Sequence, residues 1–360
     1  MTYIIDSHQD LAYSHLSFGR NYLTSAKEIR RAEVGTDIPE RAGQSLLGWE
    51  DYQAGRIAVI FSTLFIAPKR YQSKEWEKMT FSDTAEAYRL NRSQIDLYRR
   101  WSDSYPEKFC LVKDAATLNT VIDGWENDPS STHPVGLVML MEGAEGIQSF
   151  AELEEWWDLG VRIIGPVWAG TRFCGGSYEK GGFTGEGLQL LEVMADLGFT
   201  LDISHMTEES ALTALDRYEG KIIASHANAK ALLNGPVADR HLSDLVIRRL
   251  VERGGMMGLL PYNRFLKPDW NLGDPRSEVT LSTLINHLDH VCQVTGSIDY
   301  VGIGTDFDGG FGWPAVPEEI NTIADLPKIG KILEERGYNQ DEIQKFMGGN
   351  WKVQLERILP

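Results

Sequence analysis

Short apolar runs without polar alternation recur along the chain: YIIDSH, RIAVIFSTLF, GLVMLMEG, RIIGPVW, FTLDISH, KIIASH, GGMMGLLPY and YVGIGTDFDG. A strand with one wet face alternates polar and apolar residues. Unbroken apolar runs belong to strands covered on both faces, as in a parallel sheet with helices packed against it. The intervening stretches carry helical patterns with recognisable ends. DTAEAYRLNRSQIDLYRRW starts on acids and finishes on cations, and ELEEWWDLG stops at Gly160. TEESALTALDRYEG opens at Thr207 and is expected to close at Gly220, while SDLVIRRLVERGG and TLSTLINHLDHVCQVTG behave similarly.

Eight such runs with helices between them read as an α/β protein of the (β/α)8 TIM-barrel class. A doubly wound sheet is the competing fold. It usually carries a Gly-rich phosphate turn after an early strand, and DSHQD supplies none. At 360 residues and 42% hydrophobic, the chain can bury a core of barrel size. No repeat, low-complexity tract or Pro/Gly/Ser linker divides it, so residues 1–360 are expected to form one barrel domain. The stretch from Gly19 to Gly55, ahead of the second run, is expected to be a loop-plus-helix insertion near the mouth.

A net charge of −17 argues against nucleic acid and against an anionic membrane surface, both of which need basic patches. No run approaches the ~18 apolar residues of a membrane span, and no secretory pattern opens the chain, so a cytoplasmic protein is expected. Cys110, Cys174 and Cys292 are widely spaced with no C-x-x-C pair, which suggests neither a disulfide framework nor a structural zinc site.

The ends of the apolar runs carry polar groups of one kind. His8 and Asp10 sit two apart, so on an extended backbone both leave the same face. Glu142 ends a fully apolar run, where a carboxylate is rare unless paired or metal-bound. His205 and His226 each follow a serine at a run's end, and Asp306 follows the last run. Singly, each has a bland use as a hydrogen-bonded strand end or a satisfied core histidine. In a barrel, however, these ends converge on one rim, where active sites lie. Three His, one Asp and one Glu suit Zn²⁺, and the set exceeds what one tetrahedral ion needs. Two metals sharing a carboxylate are therefore expected, with Asp306 in a chemical role. Asp308 is read as holding its loop. His287 and His290 are read as solvated helix-face residues, and His15 and His133 receive no role.

DSHQDL, MEG, LDISH, IASH and GIGTDFDG, in this order, resemble the renal (membrane) dipeptidase family of the amidohydrolase superfamily. GLQLLEVMADLGFTLDISH and the tail MGGNW are also similar, and the likeness spans essentially the whole chain. The resemblance implies a metallo-dipeptidase that hydrolyses the amide bond of small dipeptides with two Zn²⁺ ions. It implies His8, Asp10 and Glu142 around one ion, and Glu142, His205 and His226 around the other. It makes Asp306 the proton-shuttling acid/base. Arg240, in RHLSD, matches the arginine that reaches the substrate carboxylate, with His241 where the family has Asn. Homodimerisation follows by analogy alone.

One departure stands out. The family places a His after the fourth strand to assist the substrate carbonyl, whereas VWAG here offers Trp168. Stabilisation of the oxyanion then falls to metal alone or to another donor such as Arg240, and substrate preference is open to drift. Two other readings follow: a binuclear amidohydrolase acting on a different small amide, and a metal-binding barrel with little or no catalysis. Sibling enzymes that bridge their metals with a modified Lys on strand four are disfavoured, because RIIGPVW has none.

Overall fold

The computed structural model describes residues 3–72, 77–128 and 130–360. All eight apolar runs are strands: β1 (Ile4–Gln9), β2 (Ile57–Phe65), β3 (Val135–Glu142), β4 (Val161–Gly165), β5 (Thr200–Asp202), β6 (Lys221–Ile223), β7 (Met257–Leu259) and β8 (Val301–Ile303). Neighbours pair in parallel in the circuit β7-β8-β1-β2-β3-β4-β5-β6. A parallel bridge between Ala224 and Met257 joins β6 to β7 and closes the ring, with Ala224 N–H donating to Met256 O at 3.0 Å. The fold is thus the expected α/β barrel. Every residue of β1 and β3 is buried, which is why these runs show no alternation.

The helices begin where side chains can satisfy free backbone donors. Asp83 accepts the N–H of Glu86 ahead of helix Thr84–Ser104, and Thr207 accepts that of Ser210 ahead of helix Glu208–Arg217. Gly160 ends helix Leu153–Leu159 with φ 106°, a conformation a Cβ would penalise.

The Gly19–Gly55 region holds three short helices, Ala26–Ala32, Ile38–Ala42 and Trp49–Gly55. It is latched to the loop after β8 by Asp308, whose buried carboxylate accepts from Tyr22 Oη (2.8 Å), Ser45 Oγ (2.7 Å) and Leu46 N (2.8 Å). Arg20 Nη1 lies 3.2 Å from the same carboxylate. Asp308 is therefore a structural anchor, and the insertion sits at the rim beside Asp306.

The tail motif MGGNW works at the other end of the barrel. Asn350 Nδ2 donates to Ile298 O (2.7 Å) and Val301 O (2.9 Å), and Trp351 Nε1 donates to Ile303 O at 3.0 Å. A Cβ on Gly302 would lie 2.5 Å from Trp351 Nε1, so the strand must be bare there for the indole to seat. These bonds seat the motif against β8.

Three expectations need correction. His287 is buried rather than solvated, with Nδ1 accepting the N–H of Ala229 at 3.2 Å, because its helix turns that face to the loop after β6. His290 is half-buried, with Nε2 2.7 Å from Asp244 Oδ1. The helix opening at Thr207 ends at Arg217 instead of running to Gly220, since the Tyr218 ring buries and its hydroxyl bonds Phe199 O. A further strand, Phe109–Leu111, pairs with the start of β3; three residues were too few to show a pattern.

Candidate metal centre

His8, Asp10, Glu142, His205, His226 and Asp306 gather at the C-terminal rim. β1 carries His8 and extends directly to Asp10, and β3 ends on Glu142. His205 and His226 lie just past β5 and β6, and Asp306 just past β8. Two triads with ligand atoms within 4.8 Å of one another match the expected sets: His8, Asp10, Glu142 and Glu142, His205, His226. A third, His8, His226 and Asp306, overlaps both. The carboxylate of Glu142 faces two ways. Its Oε2 is 3.4 Å from His8 Nε2, while its Oε1 is 2.9 Å from His205 Nε2 and 3.6 Å from His226 Nε2. Asp306 Oδ1 lies 3.8 Å from His8 Nε2.

The residues around the cluster aim its donors. Ser177 Oγ lies 2.8 Å from His205 Nδ1, and Ser225 Oγ lies 2.8 Å from His226 Nδ1. Ser225 Oγ in turn donates to Asp202 Oδ2 at 2.5 Å, and Thr63 Oγ1 donates to Asp10. Ser7 Oγ bonds Ile303 O (2.9 Å) on the neighbouring β8 and Ser225 O (2.5 Å) just past β6, tying β1 to both. Sequence reasoning missed these supports. The repeated Ser-His pair was their one visible trace.

Local backbone strain fixes two of the groups. His205 (φ 68°) and Asp306 (φ 57°) are left-handed, a conformation that costs a non-glycine residue about 1–2 kcal/mol. Asp306 is held there by its N–H donating to His8 O at 3.0 Å. Gly309 leaves room for the carboxylates, since a Cβ on it would stand 2.1 Å from Asp306 Oδ1 and 2.6 Å from Asp10 Oδ2.

The electrostatics are those of charge packed among buried groups. Burial alone would lower the pKa of His8, but Glu142, Asp10 and Asp306 together outweigh it and push the imidazole up to about 10. Burial and the neighbouring Glu142 raise Asp10 to about 6. Burial, Asp10 and Glu142 hold Asp306 well above the usual carboxylate range, against the pull of His8. Burial and Arg240 depress His205 to about 4.

These donors fit divalent cations. His8 Nε2 is buried, points among the carboxylates and has no hydrogen-bond partner. The Nε2 atoms of His205 and His226 converge on the same carboxylate oxygen. Imidazole nitrogens and carboxylate oxygens on one wall are the donor set of a hydrolytic metal site.

A family model for membrane dipeptidases, peptidase family M19, matches residues 1–356. The chain belongs to the membrane dipeptidase family. That family is one of metallo-dipeptidases, so the chain is a metal-dependent dipeptidase by membership. A protein of Klebsiella pneumoniae, described as uncharacterized and lying in the pqqA 5′ region, is 31% identical over 234 residues, 62% of this chain and 82% of its own. The solved structure of a metallopeptidase called dipeptidase AC superposes with a TM-score of 0.80 at 24% identity, covering 99% of this chain and 98% of that one. A Rhodobacter sphaeroides metallopeptidase, solved with a phosphinate mimic of L-Ala-D-Ala, gives 0.79 at 23% identity and 99% coverage of both chains. At these identities the two structures speak to the fold. No helix among the described residues is long and apolar enough to cross a membrane.

Arg240 and Trp168 flank the cluster. Arg240 Nη2 is 2.9 Å from His205 Nε2 and donates to His226 O at 3.1 Å, while its buried Nε and Nη1 have no partner. Trp168 lines the cavity above the centre together with Asp10, Glu142, His205 and Asp306.

Proposed function

We propose that residues 1–360 act as one hydrolase domain that cleaves the amide bond of small dipeptides. His8, Asp10 and Glu142 would hold one divalent cation, and Glu142, His205 and His226 a second. Zinc is the ion that best suits this nitrogen and oxygen set. The observation that carries the reading is the two-faced Glu142 carboxylate, with one oxygen turned to His8 and the other to the His205–His226 pair. Bound there, such cations supply Lewis-acid polarisation of a carbonyl and acidify a water.

The chain's own groups do the rest. Asp306 stands at the edge of the cluster and takes the proton of the attacking water, then returns it to the leaving amine, which departs poorly as an anion. Arg240 offers its unpartnered N–H groups to the substrate's terminal carboxylate, where a planar fork binds two oxygens at once. Trp168 packs over the substrate and keeps bulk water out, which strengthens each charge interaction below it. The likeness to the Rhodobacter sphaeroides enzyme favours a substrate set that includes L-D dipeptides.

The test is metal analysis of zinc-loaded protein with hydrolysis of L-L, L-D and D-L dipeptides. Two ions per chain are expected in the wild type, and one or fewer in Glu142→Gln. A chain that holds two ions and leaves every dipeptide intact would remove the activity and leave the metal site standing.

A further inference from the structure

A second cavity adjoins the one over the metal centre. It holds about 190 Å³ between the insertion and the loops after β7 and β8, and Gly310 lines both cavities. Gly310 is left-handed (φ 81°), and a Cβ on it would meet nothing within 4 Å, so open space lies beside the residue that the two cavities share. The lining of the second cavity is mostly apolar. Tyr262 and Phe311 stack at 4.2 Å with their planes 20° apart. Trp270 and Leu272 extend that surface, the indole fixed by Nε1 donating to Pro275 O at 3.3 Å and the leucine 71% exposed. Glu40 and Arg264 also line the cavity but are exposed, and Arg41 is paired with Asp37.

The strand circuit places this cavity beside the carboxyl-terminal half of a bound dipeptide. Arg240, which takes the terminal carboxylate in the reading above, lies in the segment after β6. β7 and β8 are the next two strands round the barrel. Asp306 follows β8 and serves the leaving amine, which is the nitrogen of the carboxyl-terminal residue. The α-carbon of that residue joins the amine to the carboxylate, so its side chain departs from between Asp306 and Arg240. Tyr262 follows β7 and stands near this point. Burial raises the pKa of its hydroxyl, and the charge of Asp306 adds to the rise. Gly310 follows the Gly309 that stands against Asp306.

We propose that the second cavity is a specificity pocket for a large apolar side chain, above all an aromatic one, on the carboxyl-terminal residue of the substrate. The inference rests on the dipeptidase reading above. An apolar cavity of about 150 Å³ takes up a benzene ring, so the space here suffices for a phenylalanine side chain. Removing that ring from water favours binding in proportion to its area, and the rings of Tyr262 and Phe311 offer it aromatic contacts. The residue that fills the pocket also carries the scissile nitrogen. Its seating therefore holds that nitrogen in place before Asp306, and the preference appears in kcat/KM.

The experiment compares kcat/KM of the zinc-loaded full chain on Ala-Ala, Ala-Leu, Ala-Phe and Ala-Glu, each as L-L and L-D isomers. The expected result is a preference of about tenfold or more for Ala-Phe over Ala-Ala, with Ala-Leu between them and Ala-Glu behind Ala-Leu. The Ala-Phe to Ala-Ala ratio should fall toward one in Leu272→Asp, a change at an exposed position that spares the core. It should decrease in Phe311→Leu, which keeps apolar bulk but loses the ring. Equal rates on Ala-Phe and Ala-Ala, or Ala-Glu ahead of both, overturn the pocket and leave the dipeptidase intact. An unchanged ratio in both variants also overturns it, because the ring then sits elsewhere. So does a wild-type dimer that Leu272→Asp splits with the ratio unmoved, which would assign the cavity to a second copy of the chain. A panel with no cleavage at all takes the dipeptidase reading and this one down together.

Discussion

The Nε2 atoms of His205 and His226 face each other at 2.9 Å, with Glu142 Oε1 2.9 Å from the first and 3.6 Å from the second. The hydrogen-bond network decides what these nitrogens carry. The Ser225 hydroxyl spends its one proton on Asp202 Oδ2, so it accepts from His226 Nδ1, and the proton of that ring lies on Nδ1. His205 Nε2 lies 2.9 Å from both Arg240 Nη2 and Glu142 Oε1, between a donor and an acceptor. The lone pair of His226 Nε2 turns inward, toward a carboxylate that is itself an acceptor. A cation between them satisfies both groups.

Ser225→Ala tests this arrangement. It removes the group that orients His226 and leaves each proposed ligand in place. Partners of this kind are worth about 10–100-fold in metal affinity. The expected outcome is weaker zinc retention by that factor in a competition titration against a chelator, with an unchanged circular dichroism spectrum. Unaltered zinc affinity would show that His226 does not depend on Ser225 for its orientation.

Asp306→Asn keeps the shape of the side chain and removes its capacity to carry a proton from the water to the leaving amine. Zinc content should stay at the wild-type level while kcat falls by about 10²–10⁴. Equal turnover in the variant would strip Asp306 of its role. Loss of zinc along with activity would make Asp306 a ligand, as its grouping with His8 and His226 allows.

Gly309→Ala places a methyl group 2.1 Å from Asp306 Oδ1 and 2.6 Å from Asp10 Oδ2, so both carboxylates must move. A shift of about 1 Å in a reacting group costs on the order of 10² in rate. The loop lies on the rim, and thermal unfolding should change little beside that loss in kcat/KM. Wild-type turnover would mean that the loop adjusts without disturbing either acid.

Much of this arrangement was legible before any coordinates. The eight apolar runs became strands because a barrel buries both faces of each strand and so erases alternation. The clustering around Glu142 was readable because a carboxylate at the end of a wholly apolar run has few uses other than binding a cation or a partner. Other features were hidden for physical reasons. The left-handed backbones of His205 and Asp306 are imposed by tertiary contacts, and neither residue type advertises them. Ser177, Ser225 and Thr63 are common residues whose roles appear only when distant strands meet. The contacting rings of Tyr13, Phe65, Trp168, Tyr178 and Tyr71 come from three different strand ends, so no local spacing marks them.

His287 shows how a misread face becomes a measurable property. On its helix it looked solvated, yet it is 1% exposed and accepts the Ala229 N–H, a bond that needs an unprotonated Nδ1. Burial, helped by the nearby His290, lowers its pKa from an ordinary 6.5 to about 4. The folded-state value lies below the unfolded one, so the unfolded chain takes up the proton first as pH falls. The stability this residue contributes is complete above about pH 6.5 and is lost progressively as pH drops toward 4, to a total of about 3 kcal/mol. His287→Gln keeps an acceptor for Ala229 and removes the titration. Chemical denaturation of both proteins from pH 7 to 4 should show the wild type losing stability faster across that window, with the difference between them following a single proton. Parallel curves would mean that His287 is protonated in the folded state, and that the loop after β6 adjusts to release the Ala229 bond.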